Sequence, residues 1–334
     1  MITVLVTGIF LLAFLGAPMF GVLAAFALLG FHLSDIQSAA LIVDIYSQFS
    51  NNPVLYTVPI FTFAGFILAE SRASVRVVNF SQAILGWLPG GLAIVSLVAC
   101  AFFTTFTGAS GVTIIALGGL LYPALMKGKY SDNFSLGLLT TSGSLGLLFF
   151  PSLPIIIYGV VAQTSITQLF AAGIIPGVFL MIVLAVYSSF VAKRSRTVET
   201  KTSLAEIGRT TWEAKWELFI PVMLMVGIFG GYVTLGEIAS IMVAYTFLVE
   251  VFVHRDIRIR KFPAIVRESM VLVGAIFIIF SSALALTTYM IDAETGWRVG
   301  NGFIHVHDRV MLRLRLGELA RQTLNDPSDR DRYR

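Results

Sequence analysis

The sequence predicts an all-α polytopic membrane protein, and three observations predict it. Apolar residues make up 57% of the chain and charged residues only 13%, against about 25% charged in a soluble domain. The apolar residues gather into runs near the length that carries a helix across a bilayer. The basic residues gather between those runs, as in cytoplasmic loops. An outer-membrane barrel would show short alternating segments instead, and none is present. The net charge of +4 requires no nucleic-acid partner, and no nucleic-acid motif occurs; the lipid bilayer is the expected surrounding. The single cysteine, Cys100, sits in an apolar run and can form no intrachain disulfide. No Cys/His spacing suggests a metal site.

Taken in order, Ile2–Phe31 is apolar and is read as the first membrane helix rather than a cleavable signal, since it lacks a basic leader. Gly16-Ala17-Pro18 divides it into one kinked helix or two pieces. His32–Pro53 carries Asp35 and Asp44 without Lys or Arg and is expected to be an exterior loop. Leu55–Leu68 is the next span, ending at Glu70, with Arg72 and Arg76 marking a cytoplasmic end. Val75–Leu88 is amphipathic and is expected at the interface or across the bundle. Leu92–Phe106 and Val112–Leu125 are each roughly 15 residues, or about 22 Å of helix, against a hydrocarbon core of about 30 Å. A re-entrant hairpin with its tip at Thr107–Gly111 fits these lengths. Phe134–Phe150 follows, its continuation Ile155–Val161 set off by Pro151 and Pro154, with Asp132-Asn133 expected to cap the helix start. Phe170–Val191 is a full span. Ala192–Glu217 is the clearest cytoplasmic loop, with Trp212 and Trp216 at its membrane edge. Leu218–Val233 and Ile238–Val253 form a tight pair, and Met270–Ile291 is the last span. Gly296–Arg334, with eight arginines and no long apolar run, reads as a polar tail. The organisation expected is a transmembrane region over 1–291 and an Arg-rich tail over 292–334.

Chemistry is sought where apolar segments are interrupted, because irregular backbone at membrane depth survives only inside protein or beside a watery cavity. Two interruptions fall close together. Thr107, Gly108, Ser110, Gly111 and Thr113 form one; Ser142, Gly143 and Ser144, with Pro151, Ser152 and Pro154, form the other. Their hydroxyls and freed carbonyls suit a weakly held Na⁺, a hard cation that prefers oxygen ligands, with Ser110 and Ser144 as candidate ligands. Helix N-termini at the same breaks favour a carboxylate. The blander reading is that small residues let helices pack closely and hydroxyls bond across them. Intramembrane acids are nearly absent: Glu70, Glu237 and Glu250 lie at span ends and are expected to be interfacial and solvated. That favours hydroxyl and carbonyl coordination over a proton-relay carboxylate. Gly108-Ala109-Ser110-Gly111 also matches the G-x-S-G of rhomboid-type serine proteases. A serine nucleophile needs a base, and His32, His254, His305 and His307 all lie outside the predicted spans, so no enzyme is expected.

Three stretches carry a family resemblance: PIFTFAGFILAES, LGWLPGGLAIVSLVACAFFTTFTGASGVTIIALGGLLYPAL and SGSLGLLFFPSLPIIIYG. They resemble the large membrane subunit of tripartite ATP-independent periplasmic (TRAP) transporters, over roughly Met1 to Asp292. The resemblance implies an inverted-repeat, elevator-type transporter fold in the bacterial inner membrane, with a second repeat beginning near residue 217. It implies Na⁺ as coupling ion and no other cofactor. It also implies an organic-anion cargo, such as a C4-dicarboxylate or other carboxylate, a periplasmic substrate-binding protein and a small membrane subunit. Thr107–Gly111 would be a hairpin tip and Ser142–Pro154 a broken helix, both lining the Na⁺ and substrate sites.

The sequence departs from the family pattern in having no second counterpart of GASG or FFPSLP, so the fold is expected to be C-terminally incomplete. A shifted reading frame near Asp292–Gly296, or a truncated gene, would account for this and would leave a membrane fragment that transports poorly by itself. Family sequence in another downstream frame would support that account, and its absence would remove it.

Overall fold

A computed structural model describes residues 2–33, 38–162, 164–195 and 203–292. Among them every regular element is helical. Residues 293–334, where the polar tail falls, lie outside the described residues. Five helices are long and apolar enough to cross a membrane, and a sixth span results if the pair Asp132–Leu148 and Leu153–Val161, bent by 45°, counts as one. The all-α polytopic class read from composition is the class observed.

The described residues divide into two compact units, one within residues 2–45 together with 278–292 and one within residues 46–277. In the first, α1 (Ile2–Phe14) and α2 (Met19–Leu33) are separate helices. Gly16, at φ +88°, turns the chain between them, and Pro18 cannot continue α1. The Phe10 and Phe26 rings meet edge to face at 5.2 Å. Ala27, Phe31 and Ala285 form a small buried cluster.

α3 (Ser38–Asn51) stands where the sequence suggested only a loop. The charge bias there reports a side of the membrane and says nothing about conformation. The spacing of Ile42, Ile45, Tyr46 and Phe49 is the helical signal that it obscured.

The second unit takes in the end of α3 and then α4 (Thr57–Glu70), entered through a 3-10 turn at Pro53–Tyr56. Pro59 falls in the first turn of α4, where its missing N–H costs nothing. α5 (Ala73–Leu85) leads to α6 (Gly91–Thr107) through Gly90, at φ +84°. α7 (Ser110–Lys127) returns antiparallel to α6. A Cβ on Gly128, just past α7, would lie 3.0 Å from Leu92 Cδ2 near the start of α6, so the hairpin leaves on the side where it entered. α8 (Asp132–Leu145) continues as a 3-10 turn at Gly146–Leu148, and α9 (Leu153–Val161) begins after the break. Asp132 is not the capping residue expected. Ser131 holds the N-cap position, and Asp132 Oδ1 accepts a hydrogen bond from the Tyr122 hydroxyl at 2.6 Å.

α10 (Ile166–Ser195) is the longest uninterrupted apolar helix of the unit. Ile175, Phe179, Ile182, Val186 and Phe190 lie exposed at intervals of three and four along it, a stripe that suits lipid rather than water. α11 (Leu204–Glu213) lies within the stretch read as a loop. Its Thr210 is buried while Leu204 and Trp212 are exposed, the two-faced pattern of an interfacial helix. α12 (Lys215–Phe229) and α13 (Leu235–Leu248) pair tightly as expected. A Cβ on Gly227 would lie 3.0 Å from Ile238 and Val233 side chains. Thr234 and Glu237 form a full capping box at the start of α13. A π-helical turn at Val249–Val253 ends α13, and α14 (Phe262–Asp292) completes the described chain.

The buried core of this unit gathers around α4, α6, α8 and α9, with Phe61, Phe103, Phe106, Phe150 and Phe170 at its centre. Phe150 and Phe170 meet edge to face at 4.5 Å, a favoured aromatic geometry. The core therefore surrounds the hairpin and the break.

Candidate functional site

The hairpin turns over two residues. Gly108, at φ +63°, donates its N–H to the Thr104 carbonyl at 2.9 Å and ends α6; Ala109 is extended, and α7 starts at Ser110. A side chain at Gly108 would also overlap Leu153 and would lie 3.1 Å from its Cβ. Glycine is thus required twice, by backbone conformation and by close approach. Leu153 is the first residue of α9. The N-termini of α7 and α9 therefore converge on one contact, Gly108 with Leu153.

Hydroxyls close the tip on itself. Thr107 Oγ1 donates to the Ala109 carbonyl at 3.3 Å and lies 3.0 Å from Thr113 Oγ1. Both threonines are buried. Ser110 is half-buried, and its carbonyl faces α8, where a Cβ on Gly143 would approach it to 3.4 Å. Gly111 is exposed with open space around it.

On the opposite side, Ser142 is buried and donates to Leu138 O at 2.6 Å, while Ser144 is exposed and donates to Thr140 O at 3.3 Å. Both hydroxyl protons are thus used within α8, leaving lone pairs as their outward chemistry. Gly146 fits into α6: a Cβ there would overlap the Ala101 carbonyl and lie 2.5 Å from Thr104 Cβ. Pro151 is buried behind a cis Phe150–Pro151 bond, and Pro154 is exposed. The last turn of α6 accordingly lies within the bend, with Thr104 against Gly146 and Gly108 against Leu153.

Two hydroxyls at this junction have no hydrogen-bond partner although fully buried, Ser152 Oγ and Thr104 Oγ1. Ser152 holds the N-cap position of α9, where a serine oxygen normally accepts a backbone N–H from the first turn. Pro154, second in that turn, removes one such donor. Buried polar groups are nearly always bonded, and an exception calls for an explanation such as a ligand or ion. Thr104 was not singled out from the sequence, nor was Thr105, whose Oγ1 lies 2.8 Å from Ala101 O and 3.2 Å from Gly146 O. Their signal was the adjacent pair Thr104-Thr105 in an otherwise apolar helix, one turn before the conspicuous glycines.

The donor set at the junction is oxygen only and formally neutral. No group of three or more His, Cys, Asp or Glu side chains able to hold a metal occurs among the described residues. Beside the junction is a cavity of about 300 Å³ lined by Phe102, Phe106, Phe149, Phe150 and Met225, with Thr105 as its polar residue.

Sequence reasoning missed a second constellation. Arg76 of α5 donates through Nη2 to Glu250 Oε2 at 2.8 Å and Oε1 at 3.1 Å, through Nη1 to Asp256 Oδ2 at 2.6 Å, and through Nε to Glu217 Oε1. The Glu217 and Glu250 side chains are 1% and 0% exposed. Glu250 is therefore not the solvated interfacial acid expected, because α5 brings a guanidinium to it. Burial opposes the Arg76 charge, but Asp256, Glu250 and Glu217 outweigh it and raise its pKa. Glu237 and Glu70 are exposed, the first in the α13 capping box, the second 2.8 Å from Lys261 Nζ. His254 lies in this cluster, 3.8 Å from Glu217 Oε1.

The family model described as "Tripartite ATP-independent periplasmic transporter, DctM component" matches residues 6–316, beyond the limit near Asp292 read from the motifs. The chain is 33% identical over 288 residues to the ectoine/5-hydroxyectoine TRAP transporter large permease protein UehC of Ruegeria pomeroyi, covering 85% of this chain and 67% of that one. It is 28% identical over 343 residues to the isethionate TRAP transporter permease protein DctMQ of Oleidesulfovibrio alaskensis, covering 94% and 54%. With the C4-dicarboxylate TRAP transporter large permease protein DctM of Pseudomonas aeruginosa it shares 30% identity over 265 residues, covering 79% and 61%. These relatives are permease subunits, not enzymes, and the chain spans about half to two thirds of their length. The chain belongs to the DctM family of TRAP transporter large permease components.

Proposed function

We propose that the chain acts as the large permease subunit of a Na⁺-coupled secondary transporter in the bacterial inner membrane. It takes an organic anion, a C4-dicarboxylate or another carboxylate, from a periplasmic substrate-binding protein and works with a small membrane subunit. The observation that carries this reading is the junction at Gly108 and Leu153, where two helix N-termini meet beside two buried, unpartnered hydroxyls.

The residues divide the work by charge. The N-termini of α7 and α9 present backbone N–H groups and partial positive charge, which favour a carboxylate. The C-terminal turn of α6 and the end of α8 present carbonyls, and with Ser152 and Thr104 they supply neutral oxygens that suit a weakly held monovalent cation. Na⁺, when bound, would add the positive charge that makes the site attractive to an anion. Ser110 offers its carbonyl and Ser144 its exposed lone pairs to the same region, while Thr107 and Thr113 keep the tip rigid. The relatives' printed substrates differ, which supports no single cargo.

The test is reconstitution of this chain in proteoliposomes with a periplasmic substrate-binding protein and a small membrane subunit from the same source. Uptake of labelled carboxylates that needs both an inward Na⁺ gradient and the binding protein is expected. Uptake driven equally by K⁺, or independent of the binding protein, would overturn the proposal.

A further inference from the structure

The cavity of about 300 Å³ beside the junction has a chemistry of its own. Its walls are aromatic and aliphatic, with Phe102 and Phe106 from α6, Phe149 from the break, Ile174 and Met181 from α10, and Met225 from α12. No charged residue lines it among the described residues, and Thr105 is its polar side chain. That hydroxyl is already engaged, 2.8 Å from Ala101 O and 3.2 Å from Gly146 O. A buried water needs roughly two to four polar partners, and an apolar cavity of about 150 Å³ stays dry and takes benzene. The cavity beside the junction has walls of that kind and about twice the volume, room for roughly ten carbons. Left unfilled, a space of this size would forfeit the dispersion contacts of its lining. It also has a way out. Met225 is exposed, as are its neighbours Val222 and Val226 on α12. Ile174 and Met181 fall within the span Ile166–Lys193, next to the exposed stripe of Ile175, Phe179 and Ile182. The opening therefore faces the hydrocarbon around the spans, where lipid chains are the solvent.

We propose that the cavity binds one acyl chain of a bilayer phospholipid, which enters between α10 and α12 and leaves its headgroup outside. The walls set the chemistry. With no charged group to meet it, a carboxylate or phosphate would be buried without compensation, so only hydrocarbon enters. Met181 and Met225 are flexible and polarisable, and they adapt to a chain that has no fixed shape. The bound chain touches both halves of the junction. Phe106 precedes Thr107 at the hairpin tip, and Phe150, also in the lining, precedes Pro151 at the break. Between them Thr105 ties α6 to the Gly146 carbonyl. The acyl chain thus fills the space that separates the junction from α10 and α12. Membrane lipid becomes part of the packing that holds the hairpin and the broken helix together.

The experiment places the full chain in nanodiscs of a phospholipid that carries a diazirine within one acyl chain. After illumination, labelled residues are mapped by mass spectrometry. Label on Phe102, Phe149 or Met181 is expected, together with label on Phe179 and Phe190, which are exposed on the outer stripe of α10. In Ile174→Trp the larger side chain takes up the space, so label on the lining is expected to be lost and label on the stripe kept. Should that variant not fold, Met225→Trp narrows the opening and carries the same expectation. Label confined to the outer stripe in the wild type overturns the proposal, whether protein or water fills the space. Oxidation of Met181 by hydroxyl radicals generated in the surrounding water overturns it as well, since only a wet cavity would admit them. A free fatty acid bearing the diazirine that labels the lining where the phospholipid does not overturns the assignment to a phospholipid. Undiminished label on the lining of a folded variant overturns the cavity as its route.

Discussion

Gly65 of α4 lies against the backbone of Phe106 in α6, so closely that a Cβ at position 65 would overlap the Phe106 carbonyl oxygen and stand 2.6 Å from Thr107 Cα. The neighbours are backbone atoms of a helix end, and they have no side-chain torsion with which to move aside. Gly65 is thus the seat on which the hairpin tip rests, and through it α4 fixes the position of Thr107 and Gly108.

Gly65→Ala is therefore expected to destabilise the chain by about 1–3 kcal/mol, the usual range for overpacking. Reversible chemical unfolding in detergent would measure it. Gly274→Ala, where nothing lies within 4 Å of the added Cβ, serves as the control and is expected to be neutral or slightly stabilising. Equal effects at the two positions would mean that α4 does not seat the tip.

Gly108→Ala combines two costs, a left-handed backbone conformation and an overlap with Leu153. A loss of about 1–3 kcal/mol is expected from the backbone alone, with the overlap added. Leu153→Ala in the same chain should relieve the overlap and leave the backbone cost. A double-mutant cycle should show a coupling of at least about 0.5 kcal/mol in the rescuing direction. Simple additivity would show that the two residues do not touch.

Ser152→Ala distinguishes a site from a packing feature. The hydroxyl is buried and has no partner, so its removal in Na⁺-free buffer should cost little, within about 0.5 kcal/mol, or stabilise slightly. Bound ligand stabilises by about 2.7 kcal/mol at a hundred times its Kd. The wild type should accordingly gain thermal stability with NaCl relative to choline chloride, and Ser152→Ala should gain less. An undiminished Na⁺ response in the variant would remove Ser152 from the proposed cation site.

Arg76→Ala leaves buried Glu250 and Glu217 without their cation. Removing one partner of a buried pair costs about 3–5 kcal/mol. The exposed pair Lys261–Glu70, with side chains 64% and 42% accessible, should respond to Lys261→Ala by no more than about 1 kcal/mol. Thermal melts of the two variants side by side provide the measurement. Comparable losses would show that the Arg76 network is solvated.

How far the sequence could be read depended on the range of the interaction. Helix positions were legible at Leu55–Leu68, Phe170–Val191 and Met270–Ile291, where apolar length alone specifies a span. The turn at Gly108 and the break after Gly146 were legible too, because glycine and proline act on their own backbone. α3 and α11 were not, since charge was read there before periodicity. The site was legible as a neighbourhood. Its inner hydroxyl Thr104 was missed because nothing local separates a back-bonded threonine, such as Thr62 with its 2.7 Å bond to Val58 O, from an orphaned one.

By itself the sequence determined the membrane class, the family, the hairpin and the broken helix, all consequences of composition and of backbone rules acting over a few residues. Only the tertiary structure decided which oxygens were left without partners at the junction and that Glu250 is a buried acid. Arg76 meets Glu217, Glu250 and Asp256 across 141, 174 and 180 residues of chain. A charge can be judged solvated or buried only once the helices bearing its partners have packed, because desolvation and pairing are properties of the assembled surroundings and not of the residue.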